Sequence, residues 1–227
     1  MNKRTKNFAV NVFIGLFLTS VISMNLFPVI CANGSGNGFI GGVEEVKSVN
    51  GASEQIETYV IEGAGNFLNA QANIFLFLNK VEMGDLKGIN HSELQVILND
   101  AIYYMKEASL SYENLIKTAE ITPYNLDVIN NLKSFNYDEF AIEKKLNPII
   151  FRKVKNLLGA GNIIGAYQLI NAKFNKITAL LGGLQKDTEL NKTPEPDALW
   201  TLNNQCSHTL LFGQYIAEVF YELRKKL

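Results

Sequence analysis

The sequence predicts an all-α protein, an antiparallel four-helix bundle, and three observations lead to this fold class. Apolar residues recur at spacings of three and four over four long stretches of the chain, which is the period of an amphipathic helix. No stretch alternates β-branched and polar residues between hairpin turns, as strands would. Clusters of glycine or proline separate most of the periodic stretches, and short connections between long helices are typical of an antiparallel bundle.

Four helices are predicted, and they cover about 53–82, 91–120, 149–185 and 196–227. Gly182 and Gly183 are expected to close the third of them. The connection from 121 to 148 is too long for a simple bundle turn and contains two brief helical patterns between prolines. We expect this segment, a helical insertion, to cover one end of the bundle.

The first 32 residues have the composition of an export signal. Three basic residues within the first six precede an apolar run over 12–24, and the small residue Ala32 follows. This order predicts a secretory signal peptide that is cleaved after Ala32. Two alternatives stay open: residues 12–31 are long enough to serve as an uncleaved membrane anchor, and Cys31 is a candidate for lipidation.

Residues 33–52 are rich in glycine and asparagine, so we predict a flexible tether between the signal and a bundle domain over 53–227. Loss of residues 1–32 removes three of 21 basic charges and none of 22 acidic ones, which leaves 18 against 22, or −4. A mildly acidic domain disfavours nucleic acid and anionic membrane surfaces as partners. The membrane is then contacted only through the N-terminal segment, if that segment is retained.

Cleavage would also leave Cys206 as the only cysteine, which excludes an intramolecular disulfide. Since Cys206 lies on the apolar side of its helix, we expect a small core residue. The basic signal and the lack of disulfides favour a bacterial protein that is exported to the periplasm or the extracellular space.

The string GAGN occurs twice, at 63–66 and 159–162, and the apolar positions that follow it match at the same offset of 96 residues. The matches extend to the next helix of each pair, where Tyr103 corresponds to Trp200 one residue out of register. The pattern predicts a duplicated helical hairpin. Glycine inside a helix costs about 0.8–1 kcal/mol relative to alanine, so we expect a neighbouring backbone, or alternatively a ligand, to approach closely at Gly63 and at its counterpart.

No catalytic residue, metal site or cofactor is predicted. The chain lacks the Cys-x-x-Cys-His string of covalent haem, the Glu-x-x-His pairs of di-iron bundles and the short Cys/His spacings of zinc sites. The remaining candidates for a cofactor-binding site are Asn66, Tyr103, Asn162 and Trp200, which would line a pocket between helices, and His208 as an axial ligand of non-covalently bound haem.

The leading functional hypothesis is therefore an exported, non-enzymatic binding or interaction protein, whose partner is an unknown protein or a small apolar ligand. The alternative is a bundle that binds haem or another flat apolar cofactor. A third hypothesis, membrane activity, starts from the very apolar stretch ANIFLFLNKV over 72–81. The amide residues in and before this stretch favour a buried bundle helix instead.

Overall fold

The computed structural model describes residues 43–83, 90–122 and 126–225, and within these ranges it is all-helical, without strands. This confirms the predicted all-α class. Seven helices are present in the described residues, where four long helices and two brief ones between 121 and 148 were expected. They are α1 (Val43–Met83), α2 (His91–Ile121), α3 (Leu126–Ser134), α4 (Tyr137–Glu143), α5 (Pro148–Leu158), α6 (Ile163–Glu189) and α7 (Pro196–Arg224).

Helix α1 begins ten residues earlier than the sequence indicated. Residues 43–52, which were assigned to the flexible tether, are helical. Gly51 does not end the helix, because one glycine costs only about 1 kcal/mol and the flanking residues are adequate helix formers. The predicted signal peptide and residues 33–42 of the tether lie outside the described residues.

The prediction of one continuous third helix is wrong. This part of the chain forms two helices, α5 and α6, with a turn at 159–162 between them. Helix α5 starts where Pro148 takes the first position and the Asn147 side chain accepts hydrogen bonds from the backbone N–H of Ile149 and Ile150, at 3.0 and 3.2 Å. The turn passes through Gly161, whose φ of +73° is a left-handed conformation that glycine adopts without strain.

Gly182 and Gly183 do not end α6, which continues to Glu189. Leu181 and Leu184 on either side of the glycine pair are almost fully buried, at 0% and 2% exposure. Burial of two leucines, at about 1.5–3 kcal/mol each, outweighs the helix propensity lost at two glycines.

The two GAGN strings have different conformations, so the predicted equivalence of their glycines is wrong. Gly63 is buried in the middle of α1, whereas 159–162 form the turn between α5 and α6. The neighbouring helices disagree as well, because His91 begins α2 but its counterpart Asp187 lies in the last turn of α6. Only the apolar positions that follow keep a common pattern: Ala70 and Ala166, for example, are both fully buried.

The chain divides into two compact units. Of the described residues, unit 1 contains 43–61, 118–122, 126–163 and 212–225, and unit 2 contains 62–83, 90–117 and 164–211. The predicted insertion forms α3 and α4 in unit 1. Its expected position over one end of a bundle stays a prediction.

Unit 1 is built around a cluster of aromatic rings from α4, α5, α7 and the short connection between α3 and α4. Ring centroids of Phe135, Tyr137, Phe140, Phe151 and Tyr215 are 4.9–6.2 Å apart along a chain of contacts. The buried hydroxyls are satisfied: Tyr137 donates to the Leu132 carbonyl at 3.0 Å, and Tyr215 accepts from the Asn147 N–H at 2.9 Å. Such pairs stabilise a small core beyond their buried area.

Helix α4 has a sequence-encoded start within this cluster. The Asn136 side chain accepts a hydrogen bond from the Glu139 N–H at 3.3 Å, and its amide donates to the Glu139 carboxylate at 2.8 Å. This side-chain pairing resembles a capping box, and it fixes the short helix without a long apolar face.

Unit 2 is formed by the parts of α1, α2, α6 and α7 that it contains. Helices α1 and α2 are antiparallel, because Gly63 lies against Tyr112 while Lys80 pairs with Glu93 at the other end. Helices α2 and α6 are antiparallel too: Asn99 pairs with Gln185, and Tyr112 contacts Tyr167. The core consists of the apolar faces of all four segments.

Candidate interaction surface

The inward side of unit 2 explains the first glycine string. A Cβ atom added at Gly63 would lie 2.6 Å from Cδ2 of Tyr112 and 3.3 Å from Cβ of Ser111. The Tyr112 ring, which is buried, also contacts Phe174 edge-on with centroids 5.2 Å apart. A close approach at Gly63 is therefore present, but it is made by the Tyr112 side chain and not by a backbone as expected. Burial raises the pKa of Tyr112.

A polar cluster connects α2 and α6 inside unit 2. The hydroxyl of Ser109, which is buried, lies 2.6 Å from Oδ1 of Asn171 and 3.0 Å from Oδ1 of Asn175. Since a hydroxyl has one proton, Ser109 donates fully to one amide at a time. Sequence analysis missed these residues, although two asparagines four positions apart beside the apolar face of α6 are a recognisable signal.

Cys206 is a core residue of unit 2, as the sequence predicted. Its side chain is 5% exposed, and burial raises the pKa of the thiol to about 12. The backbone carbonyl of Cys206 accepts a hydrogen bond from the Gln71 side chain at 3.4 Å, which joins α7 to α1. A thiol with this pKa is protonated at neutral pH and is a poor nucleophile.

The residues proposed for a cofactor site lie at the surface. Tyr103 and Trp200 are 58% and 69% exposed, His208 is exposed and Asn66 is half-buried. Within the described part of unit 2, no hydrogen bond or ring contact joins any two of these four. Asn162 is an exposed residue of the α5–α6 turn in unit 1.

One uncharged surface of unit 2 is the outward side of α1. Residues 63–79 form 17 consecutive positions without Asp, Glu, Lys or Arg. Besides the buried core positions, this stretch presents a second, outward face, here termed the α1 outer face. It is made of Gly65, Leu68, Asn69, Ala72, Phe75, Leu76 and Asn79.

Exposure is concentrated in the middle of this face. Phe75 and Leu76 are 50% and 45% exposed, and Asn69 and Ala72 are exposed before them. At the N-terminal end Gly65 leaves open space, because an added Cβ would meet nothing within 4 Å. The stretch over 72–81 was interpreted as a buried bundle helix: Ile74, Phe77 and Val81 are buried, whereas Phe75 and Leu76 are exposed.

Helix α2 has a different outward face. Val96, Tyr103 and Leu110 recur every seven residues and are 59%, 58% and 49% exposed. They stand singly between charged neighbours: the described part of α2 in unit 2 carries six charges, at Glu93, Asp100, Lys106, Glu107, Glu113 and Lys117. Isolated apolar residues among charges are ordinary for a water-facing helix.

The described ranges contain no group of three or more His, Cys, Asp or Glu residues that would hold a metal ion. None of their helices is long and apolar enough to cross a bilayer. The apolar run at 12–24 lies outside these ranges.

No protein-family model, no curated protein and no solved structure matches this chain. The function of the protein is therefore inferred from the chemistry of its surfaces alone.

Proposed function

We propose that the protein is an exported, non-enzymatic binding or interaction module, and that the α1 outer face is its contact surface. Unit 2 is, in this proposal, an antiparallel four-helix bundle that holds the face rigid. The antiparallel registers of α1 with α2 and of α2 with α6 support the bundle. The duplication is not part of the proposal, since the two glycine strings differ in conformation.

The observation that carries the proposal is the uncharged, partly apolar outward face of a helix whose other side already forms the core. A water-facing helix normally carries charged or polar residues opposite its apolar stripe. Interface cores are depleted of charged residues and enriched in aromatic ones. Half-exposed Phe75 and Leu76 would each gain about 1 kcal/mol from full burial against a partner.

The haem alternative gains no support from His208, because its side chain is exposed and not enclosed by the core. Membrane activity gains none from the described helices. An interaction surface uses the exposed apolar residues Phe75 and Leu76, which the haem alternative leaves unexplained.

The contact surface is tested with an environment-sensitive apolar dye, such as an anilinonaphthalene sulfonate, on dilute folded protein. Phe75→Asp should lower dye fluorescence at saturation by at least half. The matched control Tyr103→Asp removes an equally exposed ring from α2 and should leave the fluorescence unchanged. Equal losses in both variants, or no loss at Phe75, would contradict the assignment of the surface.

Export is tested separately by the intact mass of the protein recovered outside the cytoplasm. Cleavage after Ala32 places Asn33 at the mature N-terminus. A mass that retains residues 1–32, or one that carries a diacylglycerol on Cys31, would identify the anchor or the lipoprotein instead.

A further inference from the structure

We infer that the occupant of the α1 outer face is a second copy of this chain, with the two α1 helices antiparallel about a two-fold axis at Ala72. This inference builds on the proposed contact surface and adds the identity of the partner. It rests on the distribution of side-chain size, charge and area over that face.

The face has a slender end and a bulky end, with Ala72 between them. Gly65 lies seven residues before Ala72, and Phe75 and Leu76 follow it by three and four. A two-fold axis perpendicular to the helix places residues that are equidistant from Ala72 opposite one another. Leu68 then meets Leu76 of the second copy, and Gly65 meets its Asn79.

This arrangement fills the open space at Gly65 with a larger side chain and sets Phe75 beside the smaller Asn69 of the other copy. A parallel arrangement does the reverse. It would place Phe75 against Phe75 and Gly65 against Gly65, which leaves a clash at one end and a void at the other. Shape therefore selects the antiparallel pair.

Charge distinguishes α1 from α2 as the self-association surface. Antiparallel pairing of α1 buries no charge, because residues 63–79 carry none, and so avoids the large cost of removing charges from water. The same two-fold placed at Tyr103 of α2 would set Asp100 opposite Lys106 of the other copy, so both charges would have to be removed from water.

The area sets the expected strength of the dimer. The side chains of the α1 outer face offer roughly 300–400 Å² per copy, if a fully buried aromatic ring contributes about 150–250 Å². A standard interface buries about 800 Å² per partner. Helix α7, joined to α1 at Gln71, adds uncharged surface over 198–211. We therefore expect a weak dimer, with a Kd of about 10–100 μM.

Sedimentation velocity of the purified full-length protein, from about 1 to 500 μM, tests the inference. The sedimentation coefficient should rise with concentration from the monomer toward the dimer value. Leu76→Glu should keep the protein monomeric throughout, because the two-fold axis would bury two carboxylates. Leu110→Glu, which changes a residue of similar exposure on α2, should dimerise as the wild type does.

Cysteine crosslinking tests the geometry on variants whose circular dichroism matches the wild type. Ala72→Cys should form a disulfide-linked dimer under mild oxidation, since the axis brings the two copies of residue 72 together. Gly65→Cys should crosslink with Asn79→Cys when the two are mixed, but not with itself. Lys106→Cys on α2 is the negative control.

A monomer at every concentration would overturn the inference, as would dissociation by Leu110→Glu or self-crosslinking of Gly65→Cys. The dye experiment keeps this failure distinct from that of the proposed function. If Phe75→Asp still abolishes dye fluorescence in a protein that stays monomeric, the contact surface stands and its partner is another molecule. If the dye result also fails, the surface itself is wrong.

Discussion

In unit 2, the inward faces of α1 and α2 are alike, whereas their outward faces differ in charge. Both bury an unbroken series of apolar residues, and both place a small residue, Ala70 and Ala101, fully inside the core. On the outside, α2 carries six charges over 91–117, whereas α1 carries none over 63–79. The inward faces are explained by folding, because any helix of such a unit needs a buried stripe. Folding does not explain why the outward faces of the two helices differ in charge. An uncharged outward face is what the proposed contact surface of α1 would need.

The largest expected effect separates the two sides of α1 itself. Gly63→Leu should lower the free energy of unfolding by about 1–3 kcal/mol, because the new side chain overlaps the Tyr112 ring. Gly65→Leu adds the same atoms on the outer face, where a Cβ meets nothing within 4 Å, and should not destabilise the dilute monomer. Urea unfolding followed by circular dichroism measures both variants. Equal destabilisation would show that the two faces are not distinct.

The inward face of α1 was largely predictable from the sequence. The apolar spacing of threes and fours predicts one buried series over 56–81, which includes Ile56, Val60, Phe67, Ile74 and Leu78. The first four of these are buried. The series fails near its end, where Leu78 is only half-buried and Phe77 is fully buried instead. A straight helix has 3.6 residues per turn, so an apolar series spaced by alternating threes and fours drifts around it.

The outward face of α1 was missed for a physical reason. Periodicity detects one apolar stripe against a polar background, and α1 has amides and apolar residues almost all round over 63–79. The amide residues favoured a buried bundle helix, and the predicted apolar series covers only one side of it, so the outward side was not assigned. The proposed contact surface depends on the exposure of Phe75 and Leu76, which the sequence alone does not identify.

The turn at 159–162 shows a second limit of sequence analysis. GAGN fits both a helix interior, as at Gly63, and a turn, as at Gly161, since glycine tolerates either backbone conformation. What decides between them is the neighbour: Tyr112 lies against Gly63. That contact is between residues almost 50 positions apart, which no local pattern records.

A smaller effect is expected on the inward side of α7. Cys206→Ser should cost about 1 kcal/mol or more, because it places a hydroxyl among apolar side chains. Ser207→Ala, at the next and less buried position, is the matched control and should change stability by less than about 0.5 kcal/mol. Thermal unfolding of both variants measures the difference in stability. A larger loss of stability in Ser207→Ala would show that Ser207, and not Cys206, lies on the buried side of α7.

The same residue makes a kinetic prediction. Burial holds the pKa of the Cys206 thiol at about 12, so at pH 8 the folded protein should react with iodoacetamide far more slowly than the urea-unfolded protein does. The reason is that only the thiolate is alkylated, and the unfolded thiol has an ordinary pKa near 8.5. Mass spectrometry of Cys206 over time measures both rates. Fast labelling of the folded protein would show that α7 opens readily or that Cys206 is not in the core.

The smallest expected effect is at the ion pair between the two compared helices, Lys80 of α1 and Glu93 of α2, which lies just beyond the uncharged stretch. Both side chains are more than a third exposed, at 35% and 48%, so water and salt screen their attraction. A double-mutant cycle with Lys80→Met and Glu93→Gln should give a coupling energy of about 0.2–1 kcal/mol. Raising the salt concentration from 0.05 to about 1 M should remove most of it, because the Debye length falls to about 3 Å. A coupling above about 2 kcal/mol, or one that salt leaves unchanged, would mean that electrostatics rather than the buried faces holds α1 against α2.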